Sequence, residues 1–514
     1  ILAMNKEFMI IDNIPVAING EKNLLELIRK AGIELPTFCY YSELSVYGAC
    51  RMCMVENKWG GMEAACSTPP RNGMEIYTNT PRLRKYRKMI LELLLSNHCG
   101  ECTTCDKNGK CKLQELAARF DIHRVRFDNP KSKPCIDDSS VSITRDANKC
   151  ILCGDCVRVC NEVQNVGAID FAFRGSKMKV ACSFDKPIGD SNCVGCGQCA
   201  AVCPTGAIII KNDSHRLWKE LNQEDTIAVA QVAPAVRVAV AKEFGYNGEN
   251  VMGKIVAALR RIGFNYIFDT STAADLTVME ESKEFADRLA NGGKLPLFTS
   301  CCPAWSVMAK KLFPTLAPYI SMALTPMVLT ARMLKKDDPD ACIAFIGPCA
   351  AKKLEASRRT IRSDVDFVLT FEELMGMFNA KGVTFEDITD EEKVDLCEGT
   401  GDGRGFAVSG GVAKAVADVI HKLDPEREVK VVSAQGLKDC RKLLTLAKAG
   451  KYDGYLLEGM ACPGGCVAGA GTLQAVEKST ALVNKYVKDA PLQNSLDSKY
   501  EINLDLITES HDDK

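Results

Sequence analysis

The sequence predicts a large α/β domain, residues 223–490, preceded by three small cysteine-rich domains. From about Thr226, apolar strand-like segments alternate with helix-like segments, which is the pattern of an α/β domain. Before that point, many of the 26 cysteines fall into C-x2-C groups. A chain of 514 residues is much too long for a disulfide-stapled mini-protein, so these groups indicate metal sites.

Charge and hydropathy exclude several classes of function. A net charge of -1 gives no overall field that would attract nucleic acid or an anionic membrane. No apolar run reaches the roughly 18 residues of a membrane-spanning helix, and no signal-peptide pattern opens the chain. We therefore expect a protein of a reducing cytoplasm that binds neither nucleic acid nor membrane.

The first domain, residues 4–81, is predicted to be a small mixed α/β unit. Apolar segments at 8–12 and 16–18 predict strands, and a helix follows from Asn23, which suits an N-cap, to about Lys30. Four cysteines then follow in the spacing C-x10-C-x2-C-x12-C. This spacing resembles the 2Fe-2S site of plant-type ferredoxins in the longer-spaced variant of complex I, which implies a β-grasp fold. The implied ligands are Cys39, Cys50, Cys53 and Cys66.

The second domain, residues 82–125, has apolar residues at near-helical intervals and is expected to be helical. It contains one histidine and three cysteines in the spacing H-x3-C-x2-C-x5-C, which resembles a histidine-ligated 4Fe-4S site of complex I. The four residues are His98, Cys102, Cys105 and Cys111. Cys99 is a rival ligand, because it forms a C-x2-C-x2-C run with the first two of these cysteines. The resemblance favours His98.

The third domain, residues 126–222, carries two runs of the form C-x2-C-x2-C-x3-C, which resemble those of bacterial ferredoxins with an α+β fold. In that pattern three cysteines of each run bind one 4Fe-4S cluster, and the fourth crosses to the other cluster. The first run departs mildly, because Asn161 stands where proline is usual. One cluster is assigned Cys150, Cys153, Cys156 and Cys203. The other cluster is assigned Cys193, Cys196, Cys199 and Cys160.

Periodicity divides the fourth domain into strand and helix candidates. Strands are expected at 226–232, 265–269, 295–299, 341–346, 406–408, 429–433 and 454–458. Helices are expected at 249–262, 278–291, 411–423 and 436–449. A C-terminal tail, 491–514, follows, and its acidic segment 501–514 is expected to be partly disordered.

Three of these strands lead into cysteine motifs. The motifs are Thr299-Ser-Cys-Cys-Pro-Ala-Trp305, Pro348-Cys-x2-Lys-x2-Glu355 and Met460-Ala-Cys-Pro-Gly-Gly-Cys466. Open α/β sheets bind ligands in a crevice at the carboxyl ends of their strands, so three such loops can hold one large metal centre. Glycines beside the last two thiols are expected to let backbone and metal centre approach closely.

The three motifs together resemble those of the FeFe hydrogenases, whose larger members carry the cysteine-rich domains in the same order. The resemblance implies an H-cluster, in which a 4Fe-4S cubane is joined to a diiron unit with CO, cyanide and azadithiolate ligands. Cys466 would also bridge to the diiron unit. The implied cubane ligands are Cys302, Cys349, Cys462 and Cys466.

The resemblance also implies a pocket around the diiron unit, which has few covalent anchors. Lys352 would donate a hydrogen bond to one cyanide, and Met460 would pack over the unit. Pro234 and Ala235 would contact the other cyanide. The expected pocket further includes Met327, Gly347 and Glu355.

Proton transfer is expected to begin at Cys301, which resembles the terminal shuttle thiol of the family. The implied relay then runs through Glu281 and Ser321 to Glu284 and Arg288 at the surface. Residues 281, 284 and 288 lie at i, i+3 and i+7 of one predicted helix, so they can share a face.

Several positions near the diiron unit depart from the common family pattern. Ala235 stands where serine often hydrogen-bonds a cyanide, and Met327 where glutamine often faces the bridging CO. Gly347 replaces the methionine before Pro-Cys. Ala304 replaces a glycine, and Leu324 replaces a lysine. These changes remove polarity or bulk, and we expect them to retune the potential of the diiron unit.

The sequence therefore predicts an FeFe hydrogenase with one 2Fe-2S and three accessory 4Fe-4S clusters. The resemblance implies ferredoxin or flavodoxin as the redox partner, H2 and protons as substrates, maturation proteins that supply the diiron unit, and a monomer. One alternative is a hydrogen-sensing or slow regulatory hydrogenase, but such proteins tend to replace the shuttle thiol. Another is an iron–sulfur assembly factor or an electron-transfer subunit, but these would lack the three complete motifs.

Overall fold

The structure is a computed structural model that describes residues 7–128, 136–243, 245, 251–358, 363–394, 396 and 399–500. The acidic segment 501–514, the first residues of the expected helix 249–262, and Cys135 and Cys397 lie outside these ranges. Within them, no helix combines the length and apolar character needed to cross a membrane.

The first domain is built on a five-stranded sheet with the order β2-β1-β5-β3-β4. β1 and β5 are parallel at its centre, and the other pairs are antiparallel. Asn23 caps the helix as expected, because its side chain accepts the Glu26 N–H at 3.0 Å. The elements are β1 (Phe8–Ile11), β2 (Ile14–Ala17), α1 (Leu24–Lys30), β3 (Met54–Asn57), β4 (Met62–Ala64) and β5 (Glu75–Tyr77).

The next two domains consist of short elements between the cysteine motifs. Two helices, α2 (Pro81–Ser96) and α3 (Lys112–Arg119), flank the motif that contains His98. In the third domain β6 pairs with β9 and β7 with β8, all antiparallel. Its elements are β6 (Ile143–Arg145), α4 (Asp155–Arg158), β7 (Asp170–Ala172), β8 (Lys179–Ala181), α5 (Gln198–Ala201), β9 (Ile208–Ile210) and α6 (Ser214–Leu221).

The catalytic domain contains two parallel sheets covered by helices, which confirms the predicted α/β class. Its strands are β10 (Ala228–Val232), β11 (Tyr266–Asp269), β12 (Leu297–Phe298), β13 (Cys342–Ile346), β14 (Phe367–Leu369), β15 (Lys430–Gln435) and β16 (Tyr455–Met460). The sheet orders are β11-β10-β13-β14 and β12-β16-β15.

The helices of this domain cover both sheets and bury two separate hydrophobic cores, one on each sheet. They are α7 (Val236–Glu243), α8 (Met252–Arg261), α9 (Thr270–Asn291), α10 (Pro303–Leu312), α11 (Pro326–Asp337), α12 (Ala351–Ala356), α13 (Phe371–Lys381), α14 (Gly401–Arg404), α15 (Gly411–Leu423), α16 (Leu437–Lys448) and α17 (Val476–Lys488).

Two sequence predictions about this domain need correction, and one strand, β14, was not predicted. The expected strand 406–408 is wrong: residues 405–407 form a 3-10 turn in a glycine-rich loop that folds tightly on itself, and a Cβ on Gly411 would lie 2.1 Å from Gly405 O. The helix expected at 278–291 begins at Thr270, because the Asp269 carboxylate caps it. The buried strand β14 has only three residues and leaves no periodic pattern.

Candidate active site

Loops at the carboxyl ends of parallel strands bring the predicted H-cluster cysteines together. The loop after β12 carries Cys301 and Cys302, and the loop after the adjacent strand β16 carries Cys462 and Cys466. β13, in the other sheet, leads into Cys349. The site therefore lies where the carboxyl edges of two sheets meet, which is where open α/β folds bind ligands.

The four predicted cubane ligands lie within electrostatic reach of one another. Burial raises the pKa of Cys466, and the thiols of Cys349 and Cys302 raise it further. Burial, followed by the Cys302 thiol, raises the pKa of Cys349 to about 11. The same neighbours raise the pKa of the buried Cys462. Adjacent buried thiols become thiolates when a cationic group compensates their charge, so this set fits an iron–sulfur cluster.

A cavity of about 70 Å³ adjoins these thiols, and its wall is otherwise almost wholly apolar. Cys301, Cys349 and Cys466 line it together with five of the seven residues that the sequence predicts around the diiron unit. Those five are Pro234, Ala235, Met327, Lys352 and Met460. Thiols that border a small apolar cavity fit a compact metal group held mainly by packing.

Glu355 is one of the two predicted pocket residues that do not line the cavity, and it contacts Lys352 on the side away from the cavity. It accepts from Lys352 Nζ at 2.5 Å, and the Thr325 hydroxyl accepts from the same ammonium at 3.3 Å. Burial opposes the charge of Lys352, but the Glu355 carboxylate and the neighbouring thiols outweigh it and raise the pKa of Lys352. Lys352 therefore keeps its positive charge at the wall of the cavity, and Glu355 compensates that charge and orients the donor.

Gly347 is the other predicted pocket residue that does not line the cavity. A Cβ at Gly347 would lie 2.7 Å from Phe345 Cε1 and 3.3 Å from the Ala233 side chain. The Phe345 ring itself lines the cavity. The expectation that Gly347 removes bulk is therefore corrected, since Phe345 occupies the space that a larger residue 347 would need.

The glycines of the Met460–Cys466 motif serve backbone packing. Gly464 and Gly465 both have positive φ, +98° and +95°. A Cβ at Gly465 would lie 2.5 Å from Ser409 N, and one at Gly464 would lie 2.5 Å from the Val476 side chain. The close approach that the sequence predicted thus involves the neighbouring protein backbone, which fixes the turn that carries Cys466.

The first predicted relay group, Glu281, is fully buried on α9. Its Oε1 accepts the Ser300 N–H at 2.9 Å, and its Oε2 has no hydrogen-bond partner in the described part of the chain. Burial, with a smaller contribution from the charge of Glu284, raises the pKa of Glu281 to about 8. Burial and the nearby Glu281 raise the pKa of Cys301. The carboxyl group can therefore hold a proton near neutral pH beside the thiol.

The remaining relay residues continue from Glu281 toward solvent. The Ser321 hydroxyl donates to Glu284 Oε2 at 2.7 Å, and Arg288 Nη2 donates to Glu284 Oε1 at 2.5 Å. Ser321 is 4% exposed, whereas the side chains of Glu284 and Arg288 are 19% and 16% exposed. The structure thus joins Ser321, Glu284 and Arg288 by hydrogen bonds, and Glu281 lies within electrostatic reach of both Cys301 and Glu284. That protons pass along these five residues stays a prediction.

The four cysteines predicted to bind the 2Fe-2S cluster also lie together. Cys50 N–H donates to Cys39 Sγ at 3.4 Å. A hydrogen bond from Cys39 lowers the pKa of Cys50 to about 5, and one from Cys53 lowers the pKa of Cys66. The same two hydrogen bonds raise the pKa of the donors, Cys39 and Cys53. The four sulfurs therefore lie in two contacting pairs, an arrangement that suits iron coordination.

His98 has one ring nitrogen available as a ligand. Its Nδ1 accepts the Gly100 N–H at 3.1 Å, whereas its Nε2 is buried and has no partner among the described residues. Burial, and secondarily the charge of Lys149, lowers the pKa of His98, which favours the neutral imidazole that binds metals. Three thiols lie near Cys102, those of Cys99, Cys105 and Cys111. Because Cys99 remains beside the site, the choice of His98 stays a prediction.

A second cavity, of about 700 Å³, lies in the ferredoxin-like domain. It is lined by cysteines from both sequence runs, namely Cys150, Cys153, Cys156 and Cys203. This grouping fits the crossed assignment of the two 4Fe-4S clusters. In the other set, burial raises the pKa of Cys199, and the thiols of Cys196, Cys193 and Cys160 add to the effect.

Gln198 joins this domain to the active site, a contact that sequence reasoning missed. It stands between Cys196 and Cys199, and its Nε2 donates to Cys462 Sγ at 3.3 Å and to Ala468 O at 3.0 Å. No local pattern identifies the contact, because 264 positions separate the two residues. One accessory site therefore lies directly against a predicted ligand of the H-cluster.

Comparisons with known proteins agree with this architecture. Residues 226–470 match the C-terminal domain of the iron-only hydrogenase large subunit. Residues 8–81 match a 2Fe-2S iron–sulfur cluster binding domain, residues 87–126 the iron–sulfur binding region of NADH-ubiquinone oxidoreductase G, and residues 149–207 a 4Fe-4S dicluster domain.

Individual relatives cover most of the chain. An NADP-reducing hydrogenase subunit of Solidesulfovibrio fructosivorans is 34% identical, over 96% of this chain and 94% of its own length. Iron hydrogenase 1 of Clostridium pasteurianum is 29% identical, over 95% and 92%. The solved apo FeFe hydrogenase of Chlamydomonas reinhardtii aligns at 25% identity over 59% of this chain and 95% of its own, with a TM-score of 0.48. The 34% identity to a hydrogenase subunit over nearly the whole chain, with the iron-only hydrogenase domain match, shows that this chain belongs to the FeFe hydrogenase family and carries 2Fe-2S and 4Fe-4S domains before its catalytic domain.

Proposed function

We propose that this hydrogenase interconverts protons, electrons and H2 at an H-cluster held by Cys302, Cys349, Cys462 and Cys466, and that it exchanges electrons with ferredoxin or flavodoxin. The supporting observation is that the four predicted ligands are mutually close buried thiols, and that two of them, Cys349 and Cys466, line a small apolar cavity together with Cys301. When bound, the diiron unit supplies the iron at which protons and electrons combine. The protein's part is to hold the unit, exclude water and deliver protons.

In this proposal different residues around the cavity hold the diiron unit by different interactions. Cys466 would hold both the cubane and the diiron unit, and Lys352 would present to the unit a positive charge and a donor that Glu355 orients. Met460, Pro234 and the adjacent Ala235 supply packing. The low polarity of this wall strengthens each remaining electrostatic contact.

Protons are proposed to move between Cys301 and the surface through Glu281, Ser321, Glu284 and Arg288. Electrons are proposed to travel along one 2Fe-2S and three accessory 4Fe-4S clusters to the H-cluster. The contact between Gln198 and Cys462 supports a last step from the ferredoxin-like domain, because a hydrogen bond to a ligand sulfur influences the potential of its cluster.

Gln198→Leu is expected to lower the reduction potential of the H-cluster cubane. The amide N–H stabilises the more negative, reduced cluster, so its loss should shift the potential by on the order of 60 mV, or about 1.4 kcal/mol for one electron. A redox titration followed by electron paramagnetic resonance measures the shift. Gln223→Leu is the control, because Gln223 is exposed and contacts only local side chains. Equal potentials in both variants would contradict the prediction.

Infrared spectroscopy of the anaerobic, matured protein tests the proposed site. CO and cyanide stretching bands are expected, together with iron and sulfide contents that match one 2Fe-2S, three accessory 4Fe-4S and the H-cluster. The same maturation enzymes should be shown to mature a control FeFe hydrogenase. If they then leave this protein without CO and without cyanide bands, the proposed site is refuted.

The redox partner has a specific competitor, because the relative that matches over 96% of the chain is named an NADP-reducing hydrogenase subunit. That name also favours a multi-subunit assembly over the monomer expected from sequence. The purified chain should reduce ferredoxin or flavodoxin with H2. If the chain reduces neither ferredoxin nor flavodoxin, but reduces NADP+ once other subunits are added, then NADP+ replaces them as the proposed electron acceptor. The proposed cytoplasmic location rests on cysteine usage alone.

The hydrogen-sensing alternative is distinguished by turnover. Cys301 is present and lies close enough to Glu281 for that carboxylate to raise its pKa, so the observations favour an enzyme. Reduced viologen should drive sustained H2 evolution by the matured protein. Intact CO and cyanide bands with very slow turnover would favour sensing.

A further inference from the structure

The cavity beside the three thiols is lined by a single hydroxyl group among the described residues, that of Thr270. Apart from the thiols and Lys352, the rest of the wall consists of alanine, proline, methionine and phenylalanine side chains. Lys352 already donates to Glu355 and Thr325. The Thr270 hydroxyl is therefore the uncharged oxygen donor of this wall, beside the weaker donor Cys301.

Thr270 Oγ1 is buried and has no hydrogen-bond partner within the described ranges. Two other hydroxyls on α9 bond to the carbonyl four residues earlier: Thr277 Oγ1 to Ala273 O at 3.1 Å, and Ser282 Oγ to Val278 O at 2.7 Å. Ser271 Oγ is also buried and has no partner among the described residues, but Ser271 does not line the cavity. Thr270 is the first residue of the helix, so it lacks that option. Buried hydroxyls are rarely left without a partner, which indicates a ligand that accepts this proton.

We infer that Thr270 Oγ1 donates a hydrogen bond to a cyanide of the diiron unit and acts as a positioning residue for that unit. The inference rests on the proposed function, which places the unit in this cavity. A cyanide nitrogen accepts hydrogen bonds and donates none, so it complements a hydroxyl. Ala235 and Met327 line the same cavity and have no side-chain donor.

Thr270→Val removes the hydroxyl at nearly constant shape, and Thr270→Ser restores it. Donation to the cyanide nitrogen draws on a weakly antibonding lone pair and raises the stretching frequency, so the valine variant should show one cyanide band at lower frequency. The serine variant should return that band toward its original position. Thr272→Val is the matched control, because Thr272 lies on the same turn and its hydroxyl already donates to Asp269 O at 2.8 Å.

Infrared spectra of the four matured proteins decide between the outcomes. A shift of a cyanide band that occurs in Thr270→Val and in none of the other proteins supports the inference. A second supporting outcome is that Thr270→Val loses all CO and cyanide bands but keeps its accessory-cluster signals, while Thr270→Ser retains the bands. Cyanide bands at identical frequencies in all four proteins would overturn it, as would a shift confined to the CO bands. Absence of CO and cyanide bands from the unmutated protein would instead refute the proposed function.

Discussion

Cys301→Ala is expected to keep every metal cluster and to lose turnover by about 10²–10⁴-fold, the usual contribution of a positioned proton donor. The thiol lines the cavity and lies within electrostatic reach of Glu281. Its removal leaves the predicted relay without a group at the cavity. Infrared bands and iron content should match the unmutated protein, while H2 evolution with reduced viologen falls.

Cys440→Ala is the matched control for this variant. Cys440 is also a fully buried free cysteine, but it does not line the cavity, and its thiol donates to the backbone carbonyls of Ala434 and Met460. Its replacement should change turnover little. Equal rates in the two variants, with intact infrared bands, would show that the proton enters by another path.

The pH profile should carry the signature of Glu281. Because burial raises its pKa to about 8, the carboxyl is protonated and able to donate below that pH. H2 evolution should therefore fall as the pH rises through about 8, and Glu281→Gln should lose both this step and most activity. The control Glu280→Gln, on the next residue of α9, should keep the step. A profile unchanged by Glu281→Gln would contradict the assigned role.

The same pKa has a consequence for folding. The pKa of Glu281 lies above its ordinary value of 4.5, so the native state binds the proton more tightly than the unfolded chain does. The stabilisation from this group is complete below about pH 4.5 and is lost as the pH rises through about 8. Glu281→Gln should remove that part of the pH dependence of unfolding.

Cys466→Ala is expected to abolish assembly of the diiron unit and all hydrogenase activity while sparing the accessory clusters. In the proposed site this thiolate alone joins the cubane to the diiron unit, whereas the other three ligands only anchor the cubane. The CO and cyanide bands should disappear. The resonance signals of the upstream clusters should persist, because their predicted ligands lie between residues 39 and 203.

Cys342→Ala controls for the loss of a buried thiol in the same domain. Cys342 begins β13, is 7% exposed, and is absent from the cavity wall. That variant should retain the bands. If Cys466→Ala also kept CO and cyanide bands at full intensity, the bridging role would have to move to another residue.

Sequence reasoning reached further for the site than for the element boundaries. Motif spacing identified cysteines that the structure brings together, and the i, i+3, i+7 spacing placed Glu281, Glu284 and Arg288 on one helix. The segment 406–408 misled because three apolar residues cannot by themselves distinguish a strand from a turn. Sequence reasoning did not predict that the Phe345 ring occupies the space beside Gly347. The identity of residue 347 gives no information about which neighbouring side chain fills that space.

By itself the sequence determined the family, the α/β class of the catalytic domain and the groups of thiols, because metal coordination demands particular side chains at short, regular spacings. The tertiary structure alone decided which distant groups meet. The Gln198 contact to Cys462, the Ser321 bond to Glu284, and the position of the Thr270 hydroxyl at the cavity depend on how separate segments pack. Such contacts leave no local pattern, because each partner satisfies only the rules of its own helix or loop.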